Sequence, residues 1–255
     1  MSSGQDLEQR AEHRARAEFG AASGPGKQID DLLIAGLGAQ IATAAVLDCG
    51  GGTGRYAVPL AVAGASVTVV DVSADALATL HRRAVEADVA ERVRGVQGDV
   101  EALADAAVGG PFDLVLAHGI LDAVDRPAPT FAGIVASVRP GGLLSVMIAN
   151  PVAAVLARAL TGDLIGAEHE VELLDDGSGE SATPHGVLSL CAQHGLAVEH
   201  QSGIGIFRDL VPGQALEAPG ARDALTRLES ACAQRAPFAQ IAGRVHVLAR
   251  RPTSG

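Results

Sequence analysis

The chain has 255 residues, a formal net charge of -11 and an isoelectric point near 5.1. Such acidity excludes broad, sequence-independent attachment to nucleic acid, which needs a basic surface to displace counterions, but it leaves room for a local basic patch. With 48% hydrophobic but only 2% aromatic residues and no Trp, the core must be assembled from Ala, Val, Leu and Ile, as in an α/β fold. Cys49, Cys191 and Cys232 are odd in number, far apart and without metal-ligand spacing, so neither a disulfide framework nor a metal site is expected. The N-terminus carries Asp6, Glu8, Arg10, Glu12 and Arg14 and no apolar run of a signal segment, which makes the cytoplasm the expected location.

The length suits one domain, 45–255, preceded by an N-terminal helical arm or cap, 1–44. Helix-forming residues run from Asp6 to Glu18. Ala21 to Gly26 break the chain, and a second helical stretch covers Gln28 to Ala42. Ala45 to Cys49 read as a buried parallel strand that stops at an acid, Asp48, and opens into Gly50, Gly51, Gly52 and Gly54 before a helix at 55–63. Ser66 to Val70 form a second strand ending in Asp71. Ser73 is placed to cap a helix at 74–87, and Val93 to Gln97 form a third strand followed by Asp99. A fourth strand is expected at 112–117, a helix at 127–138, a turn through Arg139-Pro-Gly-Gly142 and a fifth strand at 143–149. Leu143 to Leu160 is apolar, but Asn150-Pro151 interrupts it and Arg158 charges it, so a strand and a helix are expected and no membrane span. Residues 162–184 lose periodicity, carry seven acids and no Lys or Arg, and read as an acidic loop inserted in the domain. A helix at 185–193, a strand at 196–207, a helix at 221–235 and a last strand at 245–250 complete a doubly wound, mostly parallel sheet.

Asp48, Asp71 and Asp99 fall at or just beyond the carboxyl ends of three successive strands, the edge at which open α/β sheets bind ligands. The glycines let backbone amides approach a ligand, and the following helix aims its N-terminus there. Asp71 can accept both hydroxyls of a ribose, and Asp99 can accept an exocyclic amine of adenine, so the ligand reads as an adenosine derivative. The plainer roles are an ordinary turn for the glycines, service of the adjoining turn for Asp71 and capping of a helix at 100–106 for Asp99.

Val46-Leu-Asp-Cys-Gly-Gly-Gly-Thr-Gly54, Val69-Val-Asp71, Gly98-Asp99-Val100, Phe112-Asp-Leu-Val115 and Val138-Arg-Pro-Gly-Gly-Leu-Leu144 resemble the class I S-adenosylmethionine-dependent methyltransferases over nearly the whole chain. The resemblance implies a seven-stranded Rossmann-like sheet with an antiparallel last strand. It also implies S-adenosyl-L-methionine as cofactor. Gly50, Gly52 and Gly54 would contact the methionine part, Asp71 the ribose, and Asp99 with Val100 the adenine, with Asp48 and Val72 also among the cofactor-binding residues. A narrower resemblance, to the bacterial tRNA 5-carboxymethoxyuridine methyltransferases, rests on Phe19-Gly20 with Gly24 and Lys27, His118-Gly-Ile-Leu121 with Val124, Asn150, Gly203-Ile-Gly-Ile-Phe207 with Asp209, and Gly243 to Pro252. It implies methyl transfer to a carboxylate of a modified wobble uridine. Lys27 stands where those enzymes have an Arg near the cofactor carboxylate, and the 162–184 segment is acidic where some of them are Lys-rich.

The resemblance makes His118 a residue placed against the cofactor or, for an acceptor that must lose a proton, a general base. Asn150 can orient the acceptor or cap the helix that follows. Arg208, Arg244, Arg250 and Arg251, with Arg14 or Arg16, can together supply cations for a tRNA backbone, whereas the acidic segment favours a small-molecule acid or alcohol as acceptor. Two other readings stand beside these. Gly52-x-Gly54-x-x-Ala57 with Asp71 also fits the fingerprint of an NAD-dependent oxidoreductase, and the fold can bind a cofactor without chemistry.

Overall fold

Short runs rich in Val, Leu and Ala alternate with helical stretches, and the computed structural model folds them into one sheet flanked by helices. It describes residues 25–104, 106, 108–175 and 182–253, with the side chains of residues 25–27 and 175 outside the description. The expected helix at 6–18, together with Arg14 and Arg16, lies outside the described residues.

In chain order the elements are α1 (Pro25–Leu37), β1 (Ala45–Cys49), α2 (Ala57–Val62), β2 (Ser66–Asp71), α3 (Ala74–Glu86), β3 (Val93–Gln97), β4 (Phe112–His118), α4 (Pro127–Ser137), β5 (Val138–Ala149), α5 (Pro151–Leu160), α6 (Leu164–Asp175), α7 (Pro184–Gln193), β6 (Ala197–Ile204), α8 (Ala221–Cys232) and β7 (Arg244–Arg250). The seven strands lie in the order β3-β2-β1-β4-β5-β7-β6. β1 to β5 are parallel, and β7 runs antiparallel between β5 and β6. Order reverses between β1 and β4, which puts a crevice at the carboxyl ends of those two strands.

Both faces of the sheet are covered, so the central strands are apolar on both sides. On one face Leu47, Val115, Leu144 and Val247 pack with Phe131 and Ile134 of α4 and Val187 of α7. On the other, Val46, Leu116, Met147 and Leu248 pack with Ile29 and Leu33 of α1, Leu60 of α2 and Leu80 of α3. Ile29 and Leu33 are fully buried, each contributing about 1.5–3 kcal/mol, so α1 packs into the core on this face. Ser73 caps α3 as expected, accepting from the Ala76 amide.

The segment at 162–184 departs from the loop expectation. Residues 164–175 form α6, whose Glu and Leu residues are good helix formers. Asp163 starts it, accepting from the Gly166 amide through its side chain and from the Ala167 amide through its carbonyl. Arg158 of α5 bridges Asp163 and Glu170 at 2.9 Å each, holding α5 and α6 as a hairpin. The Gly166 amide first, and then Arg158, hold the Asp163 carboxyl below its usual range. Apolar periodicity was a poor guide because the hairpin leaves Leu160, Leu164 and Ile165 exposed. Asp176 and Glu180 of the same acidic run lie outside the described residues. Among the described residues no helix is long and apolar enough to cross a membrane.

Between β6 and β7 the buried Glu229 of α8 accepts from the amides of Ile206, Phe207 and Arg208 at 2.8–2.9 Å, fixing the turn after β6. Glu229→Ala orphans three backbone donors and is expected to lower stability by about 3–4 kcal/mol in chemical denaturation. A loss below about 1 kcal/mol would show that the turn has other support.

Candidate functional site

The carboxyl edge of β1, β2 and β4 is built by backbone turns and one face of acidic and imidazole side chains. Gly50, Gly52 and Gly54 all have positive φ, between 54° and 79°, which side-chain-bearing residues rarely adopt. Gly51 needs to be Gly for a different reason: a Cβ there would lie 2.4 Å from Asp48 Oδ2. One at Gly54 would lie 2.2 Å from Leu80 of α3, so this glycine lets the loop close onto that helix. Arg83 of α3 donates to the carbonyl and hydroxyl of Thr53, pinning the loop from outside.

Asp71 is buried at the end of β2, and its two oxygens are divided between two turns. Oδ2 accepts from the Gly52 amide and Oδ1 from the Ser73 amide, both at 2.9 Å. Asp48 is buried on the same sheet face, while Val72 is exposed beyond Asp71. Asp99 is exposed and caps a short 3-10 turn, accepting from the Glu101 amide, and Val100 beside it is buried in the core. Lys27 falls in the first turn of α1, with its side chain outside the described residues. The next turn reaches the loop, because Asp30 pairs with Arg55 at 3.1 Å and the Arg55 guanidinium lies over the Tyr56 ring.

Register explains the second half of the site. His118 of β4 stands opposite Met147 of β5, and Met147 opposite His246 of β7. Ser145, two residues before Met147, shares their face. Its Oγ lies 2.7 Å from His118 Nε2 and 2.8 Å from His246 Nε2, and all three residues are buried. The His118 ring meets Tyr56 of the glycine loop edge-on, with centroids 4.5 Å apart. His118 therefore joins the loop, β4 and the β5–β7 pair. Sequence reasoning missed Tyr56, Ser145 and His246. The signal was a polar residue interrupting each of two apolar strands, Leu144-Ser-Val146 and Val245-His-Val247.

Asn150 is also at this edge, and its polar atoms are engaged. Nδ2 donates to the carbonyls of Gln240 and Ala242, both at 2.8 Å, and Oδ1 accepts from the Val152 amide. No amide hydrogen remains to orient an acceptor, so of its two expected roles the geometry fills helix capping. The C-terminal arginines separate in a similar way. Arg250 forms a bidentate pair with Glu199, and Arg251 donates to the carbonyls of Val135 and Val138 at the end of α4. Arg244 opens β7 beside Ala149, half-buried, and Arg208 is exposed on the adjoining turn. The three cysteines are buried thiols, and burial followed by the charge of Asp48 pushes Cys49 far above its usual range.

Burial first, and His200 second, lower His246 from 6.5 to about 3. Unfolded chains take up this proton below about pH 6.5 while folded ones do not, so its contribution is full above that pH and is lost as pH falls. Urea unfolding is expected to show a stability decline of up to about 1.4 kcal/mol per pH unit from this group below about pH 6, absent in His246→Gln. Identical pH slopes for the two proteins would contradict the assignment.

The sequence profile of the family described as "Methyltransferase domain" matches residues 46–142, the stretch from β1 to the turn within β5. The chain is 26% identical over 227 residues to the tRNA 5-carboxymethoxyuridine methyltransferase of Escherichia coli (strain K12), covering 88% of this chain and 85% of that protein. It is 34% identical over 164 residues to the ubiquinone biosynthesis O-methyltransferase of Azotobacter vinelandii (strain DJ), covering 62% and 67% respectively. The solved structure of geranyl diphosphate C-methyltransferase from Streptomyces coelicolor A3(2) is similar with a TM-score of 0.57 and 16% identity, over 88% of this chain and 78% of that one, a likeness of fold. These similarities decide between the two cofactor readings of the glycine loop, and the chain belongs to the class I S-adenosylmethionine-dependent methyltransferases.

Proposed function

We propose that the enzyme transfers the methyl group to an oxygen, and that the acceptor is the carboxylate of a modified uridine in tRNA. The observation that carries this reading is the alignment with the tRNA 5-carboxymethoxyuridine methyltransferase, which runs through nearly the whole length of both chains. The residues of this edge fit the cofactor. Asp71 retains lone pairs for two ribose hydroxyls beyond the two amides it accepts, and Gly52 leaves open space that a side chain would occupy. In this reading Gly50, Gly52, Gly54 and Asp48 border the methionine end, Val72, Asp99 and Val100 border the adenine, and Lys27 meets the carboxylate of the methionine part. The N-terminal region is proposed as a helical cap on the catalytic domain 45–255, with α1 as its described part.

S-adenosylmethionine, when bound, supplies a methyl already activated on a sulfonium. What remains for the protein is to hold an oxygen in line with that methyl and to exclude water. His118 and Tyr56 wall the site toward β5. Arg244 and Arg208 at the rim are placed to meet an anionic acceptor. Asn150 acts at one remove, fixing the start of α5 against the segment before β7.

A second reading has its own support. With Arg250 and Arg251 committed to internal partners and the acidic α6 rising with α5 from the end of β5, only Arg208 and Arg244 of the expected cations remain among the described residues for a phosphate backbone, which favours a small-molecule acid or alcohol.

Asp71→Ala is expected to weaken S-adenosylhomocysteine binding by more than about tenfold in calorimetry, with Asp99→Ala giving a smaller loss. Unchanged affinity with an earlier melt would make both carboxylates purely structural. For the acceptor, labelled cofactor is incubated with tRNA bearing the carboxymethoxy group and, separately, with small carboxylic acids and phenols. Label in tRNA, with salt-sensitive binding, is the expected result. Label confined to small molecules would replace the first reading by the second.

A further inference from the structure

Residues 205–255 carry seven arginines against four acids, whereas the whole chain carries 19 basic residues against 30 acidic ones. The cationic surplus is therefore local, and the fold puts it at one end of the sheet. Ile204, the last residue of β6, pairs with Arg244, the first of β7, and Arg244 pairs on its other side with Ala149, the last of β5. The connection from β6 to β7 thus rises from the carboxyl edge, the edge that carries the glycine loop. Among the described residues, five arginine side chains make no hydrogen bond or ion pair: Arg208, Arg222, Arg227, Arg235 and Arg244. All five belong to this connection or open β7, and the first four are exposed. No ion pair has to be broken before they meet an anion.

Aromatic rings are scarce, five Phe and one Tyr, and two of them meet in the same connection. Phe112 and Phe131 are buried in the main core, but Phe207 is half-buried and Phe238 is 38% exposed. Their ring centroids lie 6.0 Å apart with planes inclined at 53°. Phe207 packs against the small core of Ile206, Cys232 and Ala242, which closes without Phe238. Each ring has an unpaired arginine close by. Arg208 follows Phe207, and Arg235 opens the turn that holds Phe238, its carbonyl accepting from the Ala239 amide. Asp209 pairs with neither arginine, and its Oδ2 lies against Gly243, 3.3 Å from where a Cβ would stand. Both ring-bearing segments are fixed to the site: Glu229 holds the amides of residues 206–208, and Asn150 holds the carbonyls of Gln240 and Ala242 at the start of α5.

We propose that the Phe207–Phe238 pair is a stacking platform for an unpaired base of the tRNA loop that carries the modified uridine, with Arg208 and Arg235 meeting the phosphates on either side of that base. This rests on the proposed function, which makes tRNA the carrier of the acceptor. Single-stranded RNA is held by stacking its splayed bases on aromatic rings and by cations along its phosphates, and the connection offers both chemistries together. A protein partner fits less well. Stable protein interfaces bury about 1,200–2,000 Å², which two rings of about 150–250 Å² each and the exposed Leu210 do not approach.

Binding of the full chain to tRNA bearing the carboxymethoxy group, with S-adenosylhomocysteine present, tests the platform. Phe238→Leu keeps an apolar contact with Phe207 and removes the ring. It is expected to weaken tRNA binding by about tenfold while melting like the parent and holding S-adenosylhomocysteine as tightly. Phe238→Trp is expected to keep the parental tRNA affinity. Arg208→Gln and Arg235→Gln are each expected to lower the slope of log affinity against log salt by about 0.7, the value for one phosphate contact in a single strand, and Phe238→Leu to leave that slope unchanged. Parental tRNA affinity in Phe238→Leu, or a parental salt slope in both arginine variants, would overturn the proposal. So would loss of self-association in Phe238→Leu, read by analytical ultracentrifugation, with tRNA binding intact, which assigns the rings to a contact between copies of the chain. Methyl transfer to tRNA that is indifferent to these substitutions overturns the platform alone, whereas label confined to small molecules overturns the proposed function and the platform with it.

Discussion

Two backbone amides, from Gly52 in the glycine loop and Ser73 before α3, point at the carboxylate of Asp71, and the shape of the cofactor edge depends on that convergence. Buried donors must be met, and a charged acceptor meets them more strongly than a neutral one. Because one side chain serves both turns, the loop after β1 and the turn after β2 are held at a fixed separation. The positive φ of Gly50, Gly52 and Gly54 is what lets the loop reach that position, and Leu80 and Arg83 of α3 close it from the far side. The amides then lie beside an acid at the carboxyl ends of the strands, where a nucleoside with a charged tail fits.

The same sheet face continues the site across β4, β5 and β7. Asp48, Asp71, His118, Ser145 and His246 all project from the face covered by α1, α2 and α3, because residues of like parity in neighbouring strands line one side. An antiparallel β7 is needed for this, since it brings His246 into the row of Met147 and His118 and sets Arg244 at the edge next to Ala149. The glycine-loop edge and the row across β4, β5 and β7 are therefore one surface, joined where Tyr56 meets His118.

Much of this was legible from local signals. Strands β1 and β3 begin and end where the apolar runs do, Ser73 caps α3, and the acids fall at the strand ends, because each feature is set by residues close in sequence. The α6 helix was not legible, since its stability comes from Asp163 at its start and from Arg158 on the neighbouring helix and not from a buried stripe. Arg251 was misread as a free cation for a related reason. Its partners, the carbonyls ending α4, lie more than a hundred residues away in sequence. Asn150 was legible as a cap, but the two carbonyls that engage its amide hydrogens come from the segment before β7 and leave no local trace. His118 stood out in the sequence, whereas Ser145 and His246 acquire meaning only through the register of β5 with β7.

The most direct measurement of the account is a crystal structure of the protein with S-adenosylhomocysteine. The account predicts the ribose hydroxyls within hydrogen-bonding distance of Asp71, the adenine between Val72 and the Asp99–Val100 turn, and the thioether sulfur directed toward His118. A nucleoside bound elsewhere, with Asp71 still engaged only by Gly52 and Ser73, would contradict it.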